Sequence, residues 1–340
     1  MVSSAAPDPE FSEMALLTRG FQLARMIQVA AALGLADLLV DGPQTVADLA
    51  RRAGAHPDML LRLCRALAAF GIFEVDAQGT VSQSRRSACL YRDAVPTLHY
   101  AARYWGSPHV WGGWANLEHT VRTGESAFEA VYHQPKFEYL KAHPDEAALF
   151  DLFMQHGPDD RQAAVAEAYD FSGAGLVADI GGGTGALLAA ILRRHAGVRG
   201  LLFDQEAVVA GAVRTLGDVA QRVQIQAGDF FQTVPAGADI YTLSLILHDW
   251  DDQHALDLLR LLRAATLPGT RLLVIEKVLD SGDGVNHPAS FLSDINMMVN
   301  LRGRERTLAE FAALLARSGF GPPRLYRTRS PFCILETLSI

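Results

Sequence analysis

The sequence has little of what marks disulfide-linked, membrane-spanning or nucleic-acid-binding proteins. Its three cysteines, Cys64, Cys89 and Cys333, are far apart, and their odd number and spacing fit neither a disulfide framework nor a metal site. No apolar run approaches the about 20 residues that span a bilayer, and the N-terminus MVSSAAPDPE does not resemble a signal peptide. The formal net charge of -8 argues against phosphate binding. We therefore expect a cytoplasmic protein without a nucleic-acid partner, a membrane partner or a bound metal.

The length and composition indicate two domains, of which the first is mostly helical. The chain has 340 residues, 49% of them hydrophobic and 20% charged, which is typical of globular proteins and too long for one ordinary core. Apolar residues recur at helical spacing over 11–33, and Gly34 predicts the end of that helix. Thr45 begins a capping-box pattern, and the runs 72–75 and 80–82 flank a turn. Helices followed by a small hairpin are typical of a winged helix, and the apolar N-terminal helices favour a homodimer.

The second half alternates short apolar runs with helical segments. The runs cover residues 176–180, 200–203, 223–226, 240–245 and 271–276. Such βαβ alternation predicts a parallel sheet covered on both faces. Two final runs, 324–328 and 333–338, predict a terminal antiparallel hairpin. We therefore predict an α/β protein, with a Rossmann-like domain and a mostly parallel seven-stranded sheet over 171–340 and a helical, winged-helix-like domain over 1–170.

A glycine-rich loop of sequence DIGGGTG occupies residues 179–185, after a predicted strand and before a predicted helix. Glycines there allow a tight turn and a close approach of the backbone to a ligand. Asp204 follows the next strand, where a carboxylate accepts hydrogen bonds from ribose hydroxyls, and Gln205 adjoins it. Gly181 and Gly183 also satisfy a relaxed dinucleotide fingerprint. The loop alone therefore leaves NAD open beside an adenosyl cofactor.

Three further features distinguish between these cofactors. Asp179 stands at a strand end, where its carboxylate can bind an ammonium group. Gly228, Asp229 and Phe230 follow the third strand, so Asp229 can accept from an adenine amino group while Phe230 packs on the ring. A terminal antiparallel hairpin is unusual for a nicotinamide domain. Because α/β sheets bind ligands at the carboxyl ends of their strands, these features together favour S-adenosylmethionine (SAM).

A histidine, His248, stands at the end of the fourth predicted strand in the sequence LHDWDD. Histidine is the usual general base near neutral pH, and the strand end would bring it to the cofactor. Glu276 ends the fifth strand, and Glu305 lies in the sequence RERT. A carboxylate near a histidine holds its tautomer and stabilises the imidazolium. Two alternatives stay open, in which Glu276 caps a helix and Glu305 pairs with a neighbouring arginine.

This ordered set of motifs resembles the small-molecule O-methyltransferases typified by plant caffeic acid O-methyltransferase. Bacterial relatives of that family tailor polyketides and other aromatic natural products. The resemblance covers nearly the whole chain, including a helical N-terminal domain that dimerises in the family. It implies methyl transfer from SAM to a hydroxyl of a small aromatic molecule, with S-adenosylhomocysteine as product. His248 falls on the family's catalytic histidine, and Glu276 and Glu305 fall on its two supporting glutamates.

The resemblance also implies further contacts with cofactor and substrate. Trp250 matches a tryptophan that packs on adenine, Ser244 is expected to contact the cofactor through its backbone, and Arg161 its methionine carboxylate. Met154 and Asn300 match a methionine and an asparagine that contact substrate. Further candidates for substrate contact are Asp249, Met298 and, in the aromatic-rich stretch after Pro96, Trp105.

The expected mechanism is proton removal by His248, in-line attack of the substrate oxygen on the methyl group, and no metal. Two alternatives keep the cofactor: methylation of nitrogen, and a non-methylating hydroxylase or decarboxylase that uses SAM structurally. A remote alternative is a SAM-responsive DNA-binding regulator, because winged helices often bind DNA. Residues 45–90 carry only a small excess of arginine over acidic residues, which is a weak footprint for DNA binding.

Overall fold

The computed structural model describes residues 8–156, 160–280 and 288–340. The chain forms two compact units, the first comprising Met1–Trp111 and Leu152–Pro158, the second Gly112–Asp151 and Asp159–Ile340. The domain boundary predicted between residues 170 and 171 stays a prediction. Within the ranges that the structure describes, no helix has both the length and the apolar character needed to cross a membrane.

Short helices dominate the chain up to residue 156. They are α1 (Pro9–Leu17), α2 (Gly20–Ala32), α3 (Leu35–Leu38), α4 (Val46–Ala53), α5 (Pro57–Ala69), α6 (Arg85–Ala88), α7 (His99–Trp105), α8 (Pro108–Ala115), α9 (Leu117–Thr123), α10 (Ala127–Tyr132), α11 (Lys136–Ala142) and α12 (Pro144–Gln155). Three strands, β1 (Gln44–Thr45), β2 (Phe73–Val75) and β3 (Thr80–Gln83), form an antiparallel sheet in the order β1-β3-β2. The first unit is built on a core that includes Leu49, Cys64, Leu67, Phe73 and Val81.

The local signals in this part were largely correct. Gly34 takes a left-handed conformation after α2, and the Thr45 side chain caps α4 by accepting from the Asp48 N–H. The single helix predicted over 11–33 was wrong, because α1 ends at Leu17 and α2 begins at Gly20. Arg19 leaves the helical conformation, with φ of -104° and ψ of 8°, just before Gly20, and glycine is unfavourable in a helix interior.

A second, larger sheet organises the second unit. Its strands are β4 (Leu176–Ile180), β5 (Arg199–Asp204), β6 (Val223–Ala227), β7 (Ile240–Ser244), β8 (Arg271–Glu276), β11 (Arg324–Arg327) and β12 (Cys333–Leu338), and β9 (Val278–Leu279) and β10 (Arg306–Thr307) form a separate pair. The helices are α13 (Arg161–Ala168), α14 (Ala186–Arg194), α15 (Glu206–Val209), α16 (Ala212–Leu216), α17 (Asp252–Ala265), α18 (Pro288–Asn300) and α19 (Leu308–Arg317).

The seven strands of this sheet lie in the order β11-β12-β8-β7-β4-β5-β6. All neighbours pair in parallel except β12, which is antiparallel to both β8 and β11. Apolar side chains on its two faces form two cores with the flanking helices. The predicted parallel sheet with a terminal antiparallel hairpin is therefore confirmed. The order reverses between β4 and β7, which places the carboxyl ends of β4, β5 and β7 at a crevice suited to a ligand.

The small pair β9–β10 was not predicted, and it matters for the site. Val278 pairs with Arg306 and Leu279 with Thr307, in parallel. Glu276 precedes β9 by two residues, and Glu305 immediately precedes β10. The pairing therefore brings together two glutamates that are far apart in the sequence.

Candidate active site

The glycine loop makes a tight turn between β4 and α14. Gly181 and Gly183 have φ of 68° and 61°, in the left-handed region where side chains are strained. A Cβ on Gly181 would lie 2.4 Å from Cδ1 of Ile246, so this turn packs directly against the segment that carries His248. The Gly183 N–H donates to Oδ2 of Asp204 (2.8 Å), and Oδ1 of Asp204 accepts from the Gln205 N–H (2.7 Å). The loop and the end of β5 therefore form one hydrogen-bonded unit.

Asp179 is buried at the end of β4. Its Oδ1 accepts from the Thr242 hydroxyl at 2.6 Å, whereas Oδ2 has no hydrogen-bond partner among the residues that the structure describes. Burial raises the pKa of Asp179 to about 6, although Thr242 and the Arg161 guanidinium lower it. The buried hydroxyl of Ser244, at the end of β7, also lacks a partner within the described ranges. Because buried polar atoms are rarely left unpaired, these two atoms suit a polar, cationic ligand group.

Aromatic side chains follow β6 and β7 at the same carboxyl edge of the sheet. Gly228 and the exposed Asp229 follow β6, and Oδ1 of Asp229 accepts from the Phe231 N–H at 2.9 Å. The half-buried Trp250 ring packs edge-on to Phe231 at 4.6 Å and to Phe230 at 6.4 Å between centroids. The structure thus brings Trp250, which the resemblance assigned to an adenine site, to the two phenylalanines that follow Asp229.

His248 lies on a buried 3-10 turn, Leu247–Asp249, that follows β7. Its Nδ1 is 3.1 Å from Oε1 of Glu305 and 3.7 Å from Oε2 of Glu276. Its Nε2 is 3.4 Å from Oδ1 of Asp249. The structure therefore gathers all three predicted catalytic residues, with Asp249 on the opposite ring nitrogen.

These charges set the protonation of the cluster. Burial alone lowers the pKa of His248, but Glu276, Glu305 and Asp249 together raise it to about 10. Burial raises the pKa of Glu276 to about 7. Burial also acts to raise the pKa of Glu305, but the charge and hydrogen bond of His248, the Ser293 hydroxyl and the Lys277 charge together leave it below its ordinary value. The free protein therefore holds an imidazolium on His248, paired with the Glu305 carboxylate, at neutral pH.

Glu276 also holds the backbone of the histidine turn. Its Oε1 accepts from the N–H groups of Ile246 at 3.1 Å, Leu247 at 3.0 Å and His248 at 3.4 Å. The chain reverses just before these residues, where Leu245 has φ of 58°. The capping contact that was an alternative for Glu276 is therefore present, together with its proximity to the imidazole.

The alternative for Glu305, pairing with a neighbouring arginine, was wrong. Arg304 pairs with Glu310, and Arg306 pairs with Asp252. Oε1 of Glu305 instead accepts from the Ser293 hydroxyl at 2.6 Å, in addition to its contact with the histidine. Glu305 is thus held by α18 and directed at the imidazole.

The substrate candidates fall in both units. In the second unit, Asn300 ends α18, and its Nδ2 donates to Oδ1 of Asn296 at 2.7 Å, an atom that also accepts from Trp114 Nε1. Oδ1 of Asn300 is buried without a partner in the described part of the chain. Met298, on the same helix, is half-buried. Trp105 and Met154 belong to the first unit, where the Trp105 ring packs on Phe153 at 5.6 Å.

The cluster also contains the residue types of a metal site. His248, Glu276 and Glu305 each offer one potential ligand atom, and these atoms lie within 4.8 Å of one another. Because Nδ1 of His248 already forms a hydrogen bond with Glu305, the geometry also suits an ion-paired hydrogen bond without a metal. The prediction that no metal is bound stays a prediction.

Four partners of the site were not predicted. Thr242 bonds Asp179, Ser293 bonds Glu305, and Arg306 bonds the backbone beside His248. Lys136, buried on α11, lowers the pKa of Asp249, which burial raises. Serines and threonines carry no motif of their own, so only the tertiary structure reveals these contacts. Arg306 adjoins Glu305 in the RERT sequence, which is the one signal that was available.

Comparison with known proteins agrees with this geometry. The family model of the O-methyltransferase domain matches residues 114–321, and that of the O-methyltransferase dimerisation domain matches residues 15–93. Phenazine O-methyltransferase PhzM of Lysobacter antibioticus is 37% identical over 337 residues, which cover 98% of this chain and 97% of that protein. The structure of the mitomycin 7-O-methyltransferase MmcR is similar with a TM-score of 0.93 and 36% identity, covering 99% of this chain and 100% of that one.

A third similar structure shows ligands. NcsB1, an O-methyltransferase from neocarzinostatin biosynthesis, was solved with SAM and 2-hydroxy-5-methyl naphthoic acid. It is 35% identical with a TM-score of 0.79, and the match covers 93% of this chain and 96% of that one. The dinucleotide alternative for the glycine loop is thereby excluded in favour of SAM. The chain therefore belongs to the O-methyltransferase family and is a SAM-dependent O-methyltransferase with an N-terminal dimerisation domain.

Proposed function

We propose that the chain methylates a hydroxyl group on a small aromatic molecule and that His248 is the general base. The observation that carries this proposal is the hydrogen bond from Nδ1 of His248 to the buried Glu305, in a turn that packs on the glycine loop through Ile246. The substrate class is supported by the aromatic ligand of NcsB1 and by the phenazine named for PhzM.

The residues at the carboxyl ends of β4 to β7 fit SAM. The unpartnered Oδ2 of Asp179 suits its ammonium group, with Arg161 beside it for the carboxylate. Asp204 suits the ribose, with Gln205 beside it, and Asp229, Phe230 and Trp250 suit the adenine. The turn at Gly181 and Gly183, the backbone at Gly228 and the end of β7 at Ser244 would complete this site. When bound, SAM supplies an electrophilic methyl group and leaves as S-adenosylhomocysteine.

The protein's own part in the reaction is to remove and hold one proton. Glu305 takes the Nδ1 side of His248, which leaves Nε2 to accept the proton of the substrate hydroxyl once the imidazolium of the free protein has lost its Nε2 proton. The nearby carboxylates then stabilise the imidazolium that forms. With a pKa near 10, this imidazole matches a phenol, whose pKa is about 10. Proton transfer between them is therefore close to balanced in free energy.

Positioning of the reacting atoms contributes more to the rate than the general base does. Holding the reacting atoms in line can contribute about 7–11 kcal/mol, whereas a general base supplies about 10²- to 10⁴-fold in rate. We propose that Asp249, Met298 and Asn300, together with Trp105 and Met154, make the substrate contacts. Residues 171–340 would then form the catalytic domain, and residues 1–170 the domain for dimerisation and for one wall of the substrate pocket.

The test is the variant His248→Ala, with His56→Ala as a control. His56 is an exposed histidine just before α5, and its side chain makes no capping hydrogen bond to that helix. Production of S-adenosylhomocysteine would be followed over a panel of phenolic and naphthoic compounds, and SAM binding by calorimetry. We expect His248→Ala to lower kcat about 10²- to 10⁴-fold with unchanged SAM affinity, and the control to behave as the parent. Unchanged turnover in His248→Ala would refute the general base.

The homodimer is also part of the proposal. The match to a dimerisation domain supports it, as do large apolar side chains left exposed on α1 and α2, namely Phe11, Met14, Leu16, Leu17 and Phe21. Such a concentration of apolar surface is typical of an interface. Light scattering of the full chain is expected to give a mass near twice 36.8 kDa, and a monomeric mass would contradict the proposal.

A further inference from the structure

Arg306 is a buried arginine bonded to the backbone around His248. Its side chain is 0% exposed. Nη1 donates to the Leu247 carbonyl at 2.7 Å, and Nη2 donates to the Trp250 carbonyl at 2.8 Å. Nε and Nη2 also donate to Oδ1 of Asp252, at 3.0 and 2.9 Å. The guanidinium therefore joins the carbonyls that lie immediately before His248 and immediately after Asp249.

The residues just before Arg306 contact the same turn. The Arg304 N–H donates to the His248 carbonyl at 2.9 Å. A Cβ on Gly303 would lie 1.9 Å from that carbonyl oxygen, so only glycine fits this approach. Glu305 then reaches the imidazole itself. Residues 303–306 thus hold the His248 turn on its backbone and on its side chain.

We propose that Arg306 is a positioning residue for methyl transfer, which acts by fixing the direction of the His248 imidazole. The inference rests on the proposed role of His248 as base. A planar fork of donors can satisfy two carbonyls and a carboxylate at once, which the single ammonium of lysine cannot do in the same geometry. Stability alone does not account for such a residue, because well-packed apolar side chains often replace buried ion pairs without loss. Its partner Asp252 is moreover 51% exposed, which weakens the pair as a source of stability.

The expected effect is on turnover rather than on cofactor binding. A misplacement of about 1 Å at a reacting group can cost about 10²-fold in rate. Most of the proposed SAM residues have hydrogen bonds that do not involve Arg306, such as that between Gly183 and Asp204. The exception is Trp250, whose backbone carbonyl accepts from Arg306, whereas its ring is the part assigned to the adenine. We therefore expect Arg306→Met to lower kcat about 10- to 100-fold while the dissociation constant for SAM changes less than about twofold. The kcat of Arg306→Lys should lie between that of the parent and that of Arg306→Met.

The control is Arg260→Met, because Arg260 lies on α17 and its half-exposed side chain pairs with Asp257 at the surface. Each variant would be measured for kcat, for SAM affinity by calorimetry, and for the pKa of His248 by NMR of labelled histidine. We expect a shifted His248 pKa in both Arg306 variants and an unshifted one in Arg260→Met. If Arg306→Met does not fold, Arg306→Lys and its NMR titration decide the question alone.

A double-mutant cycle separates this inference from the proposed base. If Arg306 acts through His248, Arg306→Met combined with His248→Ala should be no slower than His248→Ala alone. Two results would overturn the positioning role alone. One is that the effects of the two substitutions on kcat multiply. The other is that the Arg306 variants keep a normal kcat and a normal His248 pKa while His248→Ala is impaired. Normal turnover in His248→Ala would refute the general base, whatever the Arg306 variants do.

Discussion

Replacing Glu305 with glutamine changes the charge beside His248 while keeping the contacts. The amide oxygen of glutamine can still accept from Nδ1 of His248 and from the Ser293 hydroxyl, which both contact Oε1 in the structure. The variant therefore isolates electrostatics from position. Because a carboxylate stabilises the imidazolium, its removal must lower the pKa of His248 from its value of about 10.

The size of the change in the pKa of His248 follows from the distance between its Nδ1 and Oε1 of Glu305. At 3.1 Å and an effective dielectric constant of about 20, two unit charges attract by about 5 kcal/mol, which is an upper bound. Glu276 and Asp249 remain in the variant and keep part of the effect. A single carboxylate at such a distance typically shifts a pKa by about 1–3 units. We therefore expect the His248 pKa to fall by about 1–3 units in Glu305→Gln.

The assay is the full pH profile of kcat/KM, since a measurement at one pH would mislead. A lower pKa increases the neutral, reactive fraction of His248 near pH 7, but it also makes the imidazole a weaker base. The two effects oppose each other at neutral pH. At high pH, where His248 is deprotonated in both enzymes, only the effect of the weaker basicity on the rate remains. We expect the parent rate to rise towards about pH 10, and the variant to reach a lower plateau at lower pH.

Glu118→Gln is the control, because Glu118 is an exposed acid that pairs with Arg122 at the surface. Its profile should coincide with that of the parent. Superimposable profiles of Glu305→Gln and the parent would refute the reasoning, since removal of the charge that bonds Nδ1 directly would then have no effect on the titration of His248. The pH dependence of the free energy of unfolding tests the same charge, because the direction of the change is fixed. The raised pKa of His248 stabilises the fold below about pH 6.5, and this contribution is lost as the pH rises through about 10. Glu305→Gln should lose less stability over that range than the parent.

Three further predictions concern the neighbouring groups. Glu276→Ala should lower the free energy of unfolding by about 1–3 kcal/mol, because buried N–H donors lose their acceptor. Glu276→Gln should stay closer to the parent in urea denaturation, and an equal loss of stability in both variants would contradict the capping role. Asp179→Asn should weaken SAM binding about 10- to 100-fold in calorimetry, because a charge-assisted hydrogen bond is lost, and unaltered affinity would remove Asp179 from the cofactor site. Dialysis against EDTA should leave kcat unchanged, and a loss that Zn²⁺ or Mg²⁺ restores would show that His248, Glu276 and Glu305 hold a metal.

The sequence predicted the large sheet well because strand signals are local. The spans of β4, β8 and β12 were predicted to the residue, and the glycine loop fell between β4 and α14 as expected. The helix over 11–33 was wrong for an equally local reason, since the chain leaves the helical conformation at Arg19, just before Gly20. The apolar periodicity continues across this glycine and does not show that the helix ends there.

Contacts between distant segments explain what the sequence left open. Two-residue strands such as β9 and β10 carry no periodicity, yet their pairing sets the distance between Glu276 and Glu305. The bond from Thr242 to Asp179 depends on the register between β4 and β7, which no motif specifies. The resemblance to a known family supplied the pairing of both glutamates with His248. Their separate contacts with the turn arise only in the tertiary structure.

Those contacts imply that the two glutamates are not equivalent. Glu276 uses one carboxylate oxygen to hold three backbone N–H groups, and its other oxygen stays 3.7 Å from the imidazole. Glu305 makes the direct hydrogen bond to Nδ1. Burial raises the pKa of Glu276 to about 7 while Glu305 stays ionised, yet the charges of both raise the pKa of His248, that of Glu276 the more. We therefore infer that Glu276 both fixes where the histidine turn lies and makes the histidine more basic, whereas Glu305 acts mainly on basicity. Substitutions at Glu276 should accordingly change both stability and the pH profile, and substitutions at Glu305 mainly the pH profile.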